Sequence, residues 1–331
     1  MILVTGGAGF IGYHLLKNIG DQSQVLSLDS FSNYYSVELK KLRCRNIERD
    51  LGVSVVELDM VDSIELDKLF KENKIETVIH LAAQPGVRIS PSKYSNYVNS
   101  NLLAFENLLQ ACVVNDVQNL IFASSSSVYG NHAKIPFSEE ESFLRPRSYY
   151  GATKLSNEIT ARVVSERHGL RILGLRFFTV YGPWGRPDMA YTRVASALLN
   201  DEDFNLFGDG SVIRDFTYVS DVVKSILKLT ETLPTLKEGS FEILNIGGGK
   251  PVSLIEMIGE FENQLGKKLR ILNRESNPSD VIKTHADWTK LHTICGDFPK
   301  TSLTEGIEET IAWAKDPEIK PKLKSWIQSV V

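Results

Sequence analysis

The chain opens on a short apolar run, Ile2-Leu3-Val4-Thr5. This breaks into Gly6-Gly7-Ala8-Gly9-Phe10-Ile11-Gly12 and continues with helical spacing from Phe10 to Ile19. Glycines at such a point let the backbone turn sharply from strand to helix. They also let N–H groups approach a pyrophosphate, which the positive end of the helix attracts. Gly7–Gly12 matches G-x-G-x-x-G, and Gly6 adds a G-x-x-G-x-x-G spacing. The strand before and the helix after are what separate a dinucleotide-binding turn from chance glycines. A second apolar run, Gln24–Asp29, ends in an acid placed to accept from an adenosine ribose hydroxyl. Ser30 and Phe31 follow it, with no arginine. A 2′-phosphate would meet Asp29 as like charge, so NAD is expected and not NADP.

Further apolar runs lie at Val53–Asp59, Glu76–Ala82, Asn119–Ser124 and Leu170–Arg176, with helical patterns between them, among them Asn101–Val114 and Tyr149–His168. Strands apolar on both faces and alternating with helices predict an α/β fold, a Rossmann-type doubly wound parallel sheet. After Thr179 the pattern changes. Gly182-Pro183-Trp184-Gly185-Arg186-Pro187 reads as a loop. Shorter segments follow at Phe204–Phe207, Asp215–Val219 and Phe241–Gly247, with a last helix expected over Ser302–Lys315. The organisation expected is an NAD-binding domain over 1–179, with some later segments returning to it. A smaller mixed α/β substrate-binding region then covers 180–331.

Among 331 residues, 37 basic and 41 acidic side chains give a net charge of −4, which leaves no electrostatic footprint for nucleic acid or an anionic membrane. A local basic pocket for a phosphorylated substrate is compatible with that balance. Cys44, Cys112 and Cys295 are odd in number and widely spaced, with no CxxC pair. They suggest neither a disulfide framework nor a zinc site, and a reducing cytoplasm fits them. No apolar run reaches the ~18 residues of a membrane span, and no signal peptide is read at the N-terminus.

Tyr150-Gly151-Ala152-Thr153-Lys154 is a Y-x-x-x-K, which a helix places on one face. A neighbouring ammonium favours the phenolate, so such a tyrosine can take a proton from an alcohol near neutral pH. Alone the pattern is weak. Its weight comes from the glycine loop and from Ser124-Ser125-Ser126-Ser127, which follows an apolar strand. That is the sheet edge where open α/β folds bind ligands. Hydroxyls there can donate to a sugar oxygen or a carboxylate; the bland alternative is a serine-rich loop satisfying its own backbone.

These three features, in this order, resemble the extended short-chain dehydrogenase/reductase family over essentially the whole chain. Within it, His80–Arg88, Ser124–Gly130, Leu175–Ala190 and Arg214–Val219 look like the NAD-dependent nucleotide-sugar epimerases that act on UDP-glucuronate at C4. The resemblance implies that Gly6, Gly9, Phe10, Ile11, Gly12, Asp29, Asn33, Asp59, Met60, Leu81, Ala82 and Ala83 line the NAD site, together with Tyr150 and Lys154. Tyr150 is then the base and acid, Lys154 assists it, and Ser125 shares the proton of the sugar O4. Ser126, Ser127 and Thr179 are implied to grip a sugar carboxylate. Arg88, Arg186, Arg193 and Arg214 would meet the substrate, the last three at its carboxylate or diphosphate. Gly208 and Asp280 would contact the nucleotide. Pro85, Ile89 and Ser279-Asp280 depart from the family pattern around the substrate and leave the reaction class intact.

No metal is expected, because the histidines form no ligand cluster. His80, on an apolar strand, reads as a core histidine. Trp184 reads equally as a ligand-stacking or a loop-packing residue, and the three arginines have solvated surface charge as their alternative. The helices carrying Leu102, Leu103, Leu108, Leu109, Ile159, Val163 and Val164 are apolar beyond one stripe. In the family such helices pair across a homodimer as a four-helix bundle; the alternative is burial on their own sheet. The dehydratase of this fold carries an Asp-Glu pair where Ser126-Ser127 stand, and a decarboxylase presents a glutamate near the serines. Neither is present here. Other nucleotide-sugar epimerases of the fold, and a non-catalytic NAD-binding role, remain as the further alternatives.

Overall fold

The computed structural model describes residues 1–275, 281–296 and 300–330. Its strands are β1 (Ile2–Thr5), β2 (Val25–Asp29), β3 (Val55–Glu57), β4 (Thr77–His80), β5 (Asn119–Ser125), β6 (Arg171–Phe177), β7 (Thr179–Tyr181), β8 (Asp203–Phe207), β9 (Ile213–Tyr218), β10 (Phe241–Ile246), β11 (Pro251–Ser253) and β12 (Arg270–Arg274). Seven of them form one sheet in the order β10-β6-β5-β4-β1-β2-β3, with every neighbouring pair parallel. Chain order reverses between β1 and β4, where Thr5 stands opposite His80. Ligands of such sheets bind outside the strand ends at this reversal.

Adjacent residues of a strand point to opposite faces. Thus Val4, Ile79, Ile121 and Leu173 pack into the core beneath helices Phe10–Asn18 and Val219–Thr232. Leu3, Val78, Leu120 and Ile172 pack on the other face with Phe105, Leu108 and Leu109. Both faces are covered, which is why the strands read as unbroken apolar runs. A third core joins Tyr181, Val194, Leu198, Phe204, Phe261, Ile311, Trp313 and Trp326 with Tyr35, Leu39 and Leu42 of the early chain.

Phe241–Ile246 pairs with β6 and closes one edge of the main sheet, and helix Val219–Thr232 packs on it, so the sheet and its cover draw on chain beyond residue 179. The small sheets β11-β9-β7 and β12-β8 complete the architecture. Helix Leu303–Lys315 starts where expected, with Ser302 and Glu305 forming a capping box, but it is not the last. Helix Lys320–Gln328 follows, with Pro321 in its first turn. Its short apolar pattern becomes decisive only through tertiary packing of Leu323 and Trp326.

The segment expected as one helix from Asn101 is also longer and irregular. It runs α-helical over Tyr94–Tyr97, π-helical over Val98–Leu103 and α-helical again over Ala104–Val114. The buried Asn101 side chain sits in the π turn. It accepts from Gln84 N–H (2.7 Å) and donates to Thr153 Oγ1 (3.1 Å). No helix among the described residues is long and apolar enough to cross a membrane.

Candidate active site

A cavity of about 670 Å³ opens along the carboxyl ends of the main-sheet strands. One end is made of backbone. Gly6 has φ of +77°, and a Cβ there would stand 2.7 Å from Ala82 N. The same test puts a Cβ of Gly12 into the carbonyl of Gly6. The loop therefore folds on itself in a way no side chain permits, and the helix beginning at Phe10 points its N-terminus into the cavity. Asp29 closes this end of β2, accepting from Ala8 N–H (3.1 Å) and Phe31 N–H (2.8 Å). Burial raises its pKa, and Lys40 and these two amides pull it back. Gly6, Gly9, Phe10, Ile11, Gly12, Asp29, Asp59, Met60, Leu81, Ala82 and Ala83 all line the cavity. The cradle, the helix end and the acid together fit NAD.

The other end is made of side chains. Ser148 caps helix Tyr149–His168 by accepting from Gly151 N–H, and Gly169, with φ of +74°, ends it. This cap fixes Tyr150 in the first turn and Lys154 one turn on. Gly151 lets the helix approach the serine turn, since a Cβ there would lie 2.7 Å from Ser127 O. Ser125 ends β5, and Ser126–Val128 turns away from it, with Ser125 Oγ accepting from Ser127 N–H (3.1 Å). The Ser125 side chain is close enough to Tyr150 to favour its phenolate.

The electrostatics differ from the sequence expectation in one respect. Burial pushes the Tyr150 phenol up, and the groups that pull it down are Arg186 and Ser125. Lys154 Nζ lies 5.9 Å from the Tyr150 ring centroid and donates instead to Ala123 O (2.8 Å). Burial brings Lys154 down to about 8, opposed by Glu158. Glu158 itself is tied in a buried fork to Arg176 (2.9 and 2.8 Å) and accepts from Ser124. Tyr150, Lys154 and Glu158 thus follow one helix face from the cavity into the core.

Ser126, Ser127, Thr179, Arg88, Arg186, Arg193 and Arg214 line the same cavity. Arg186 Nε and Nη2 engage Asp188 at 3.0 and 2.5 Å. Arg193 lies over the Phe204 ring, and Arg88 over that of Phe207. Arg214 donates to Ile213 O (2.9 Å). Its neighbour Asp215 is buried and accepts from the amides of Gly248, Gly249 and Ala286, which is a structural duty. Asn33 and Gly208 do not line the cavity, although Ser32, Tyr34 and Phe207 beside them do. Asp280 falls outside the described residues.

His80 is a core residue. It bonds Thr5 Oγ1 (2.8 Å), and burial takes it down to about 3. Trp184 packs between Tyr13 and Trp313, away from the cavity. Its carbonyl accepts from Arg43, a buried arginine that also donates to Ala8 O and so joins the glycine loop to the Gly182–Pro187 loop. Sequence reasoning missed Arg43, Tyr34, Lys40 and Arg147. For Lys40 and Arg43 the signal was present: two bases at i and i+3 in a helix that starts soon after Asp29. Among the described residues no group of three or more His, Cys, Asp or Glu is placed to hold a metal ion.

The family model for the NAD dependent epimerase/dehydratase family matches residues 2–247. Protein CapI of Staphylococcus aureus is 39% identical over 327 residues, spanning 94% of this chain and 97% of its own. UDP-glucuronate 4-epimerase 4 of Arabidopsis thaliana is 40% identical over 328 residues, covering 94% of this chain and 74% of its own. The crystal structure of UDP-glucuronic acid 4-epimerase from Bacillus cereus, in complex with UDP-glucuronic acid and NAD, superposes with a TM-score of 0.88 at 35% identity. It covers 95% of this chain and 98% of its own.

Proposed function

The chain belongs to the NAD dependent epimerase/dehydratase family, and on that premise we propose that it is an isomerase that inverts C4 of UDP-glucuronate to give UDP-galacturonate. The observation that carries the reading is one cavity with a glycine cradle at one end and, at the other, Tyr150 beside Ser125, Ser126, Ser127 and Thr179. Its similarity to the Arabidopsis and Bacillus enzymes supports the choice of sugar.

NAD, which the glycine turn Gly6–Gly12 and Asp29 would hold, would supply reversible hydride acceptance at the sugar C4, so that the sugar passes through a 4-keto form. The chain supplies the rest. Tyr150 takes the proton from the 4-hydroxyl, with Ser125 sharing it, and gives it back after the sugar has turned over. Lys154, one helical turn on and 5.9 Å from the Tyr150 ring, would hold the nicotinamide ribose beside the phenol. Arg88, Arg193 and Arg214 lie where a diphosphate can anchor the substrate while the sugar moves. Remote binding energy of this kind holds a reactive intermediate in place. A 4-keto uronate is a β-keto acid and can lose carbon dioxide. Hydroxyls from Ser126, Ser127 and Thr179 are suited to hold the carboxylate out of line for that cleavage.

The same reading includes a homodimer. Leu108 and Leu109 are buried on the chain's own sheet, whereas Leu103, Ile159 and Val163 are 43%, 60% and 45% exposed on two neighbouring helices. Paired with a second copy, these helices form a four-helix bundle, and light scattering would read twice the 37.0 kDa chain mass. Three unpaired cysteines fit a cytoplasmic setting.

The deciding experiment is incubation of the purified protein with UDP-glucuronate, without added NAD, followed by NMR of the sugar. A mixture of glucuronate and galacturonate nucleotides supports both the reaction and a retained cofactor. A pentose product makes the protein a decarboxylase. No turnover even with added NAD overturns the choice of sugar and moves the test to UDP-N-acetylhexosamines and UDP-glucose.

A further inference from the structure

Arg186 lines the same cavity as Tyr150 and Ser125 but is already engaged within the chain. Its Nε and Nη2 face the two oxygens of Asp188 at 3.0 and 2.5 Å, an in-plane fork. That edge of the guanidinium is the one best shaped for a carboxylate. A third group joins from another segment of the chain. Tyr34, in the loop after β2, donates to Asp188 Oδ2 at 3.3 Å. The Tyr34 hydroxyl packs on Gly86 so closely that a Cβ there would collide with it, and Gly86 O accepts from Tyr97 Oη at 2.5 Å. The loop after β2 and the segment following the Gly182–Pro187 turn therefore meet at the Asp188 carboxylate, and the loop after β4 packs on the Tyr34 hydroxyl that reaches it.

We propose that Asp188 is a positioning residue: it holds the Arg186 guanidinium beside Tyr150, and Tyr34 braces it from the NAD side. The inference rests on the assignment of Tyr150 as the proton-transfer group. Its consequence is that Arg186 acts first as a fixed positive charge near the phenol, and only secondarily as a grip on substrate. The groups facing Tyr150 are Arg186, Lys154, Ser125 and Tyr97, whose ring centroid is 6.3 Å away. Those facing Arg186 are Asp188, Tyr34, Tyr150 and Tyr191. Arg186 is the largest influence drawing the phenol down against burial.

Titration of the Tyr150 phenol tests this without any substrate. The signal is the phenolate absorbance of the NAD-bound protein minus that of the same protein carrying Tyr150→Phe. With Asp188→Ala the Tyr150 titration is expected to move to higher pH, because the guanidinium swings away. If Arg186 stayed in place unaided, loss of the neutralising carboxylate would move it to lower pH. A downward move, or none, overturns the inference. Tyr34→Phe removes one bond to the same carboxylate with little risk to folding. It is expected to move the titration in the same upward direction by less, and a downward move again overturns the proposal.

Turnover gives a second reading. Asp188→Ala is expected to lower kcat about tenfold, the scale of a misplaced catalytic neighbour, while KM changes less than about twofold. In an Arg186→Met background the same change is expected to cost less than about twofold, because the two residues act as one unit. Equal losses in both backgrounds would give Asp188 a separate role and sink the idea. Failure of the wild type to epimerise UDP-glucuronate would overturn the choice of sugar, while the phenol titration still decides the role of Asp188.

Discussion

At the NAD end of the cavity the contact surface is main chain; at the sugar end it is hydroxyl and guanidinium. The first end centres on one contiguous stretch, Gly6–Gly12, flanked by Asp59–Met60 and Leu81–Ala83 and closed by Asp29, whose carboxylate is fixed by two backbone amides. The second gathers Ser125, Tyr150, Thr179, Arg186 and Arg193 from separate segments, each held by a different partner. A backbone-built site is sensitive to any added Cβ and indifferent to chemistry. A side-chain-built site is sensitive to single polar atoms and to whatever holds them. One end therefore serves a constant cofactor, while the other can be retuned for a different sugar without disturbing the cradle.

Substitutions at each end should fail in different ways. The largest effect is expected from Tyr150→Phe: loss of proton transfer should cost turnover ~10²–10⁴-fold, with NAD still bound and substrate affinity little changed. If NAD were lost as well, the two ends would not be separable. Gly6→Val should do the reverse. Its φ of +77° and the close Ala82 amide leave no room for a side chain, at a cost of roughly 1–3 kcal/mol of strain before the clash is counted. The variant should then purify without the NAD that the wild type retains; full retention would break the backbone account.

Ser127→Ala probes the sugar end more finely. Losing one hydrogen bond to a charged group, worth about 1.5–3 kcal/mol, should raise KM for UDP-glucuronate roughly tenfold or more and leave NAD retention alone. An equal rise for uncharged UDP-glucose would mean that Ser127 does not read the carboxylate. The smallest effect concerns His80, which lies between the two ends. Its native pKa of about 3 lies below the ordinary value of 6.5. The unfolded chain therefore gains protons first as pH falls, and stability is lost progressively below about 6.5. Replacing His80 with Asn should flatten this part of the melting-temperature profile between about pH 6.5 and 4. An unchanged slope would assign the acid sensitivity to other groups.

How far each end was legible in the sequence follows the same division. Helix Tyr149–His168 could be read to its ends because Ser148 and Gly169 are local signals of start and stop. The glycine loop was legible because glycine spacing encodes a backbone shape directly. The π turn at Val98–Leu103 was not, since it arises where Asn101 is drawn to Gln84 and Thr153, partners far along the chain. Helix Lys320–Gln328 was missed because its stability comes from contacts such as Trp326 Nε1 donating to Glu38 (3.0 Å). Trp184 had two equal readings, and only packing against Tyr13 and Trp313 chose between them.

The sequence by itself determined the parallel sheet, the dinucleotide turn, the preference for NAD and the face shared by Tyr150 and Lys154. All of these follow from spacing within one or two elements, where backbone geometry converts sequence distance into spatial distance. The tertiary structure alone decided which charge meets which. It sent Lys154 to the Ala123 carbonyl, left Arg186 to draw the Tyr150 phenol down, set Asp188 and Tyr34 around that arginine, and gave Asp215 to three backbone amides. In sequence these arginines and acids are interchangeable points of charge. Their strengths and partners depend on distance and desolvation, which exist only once the loops have converged.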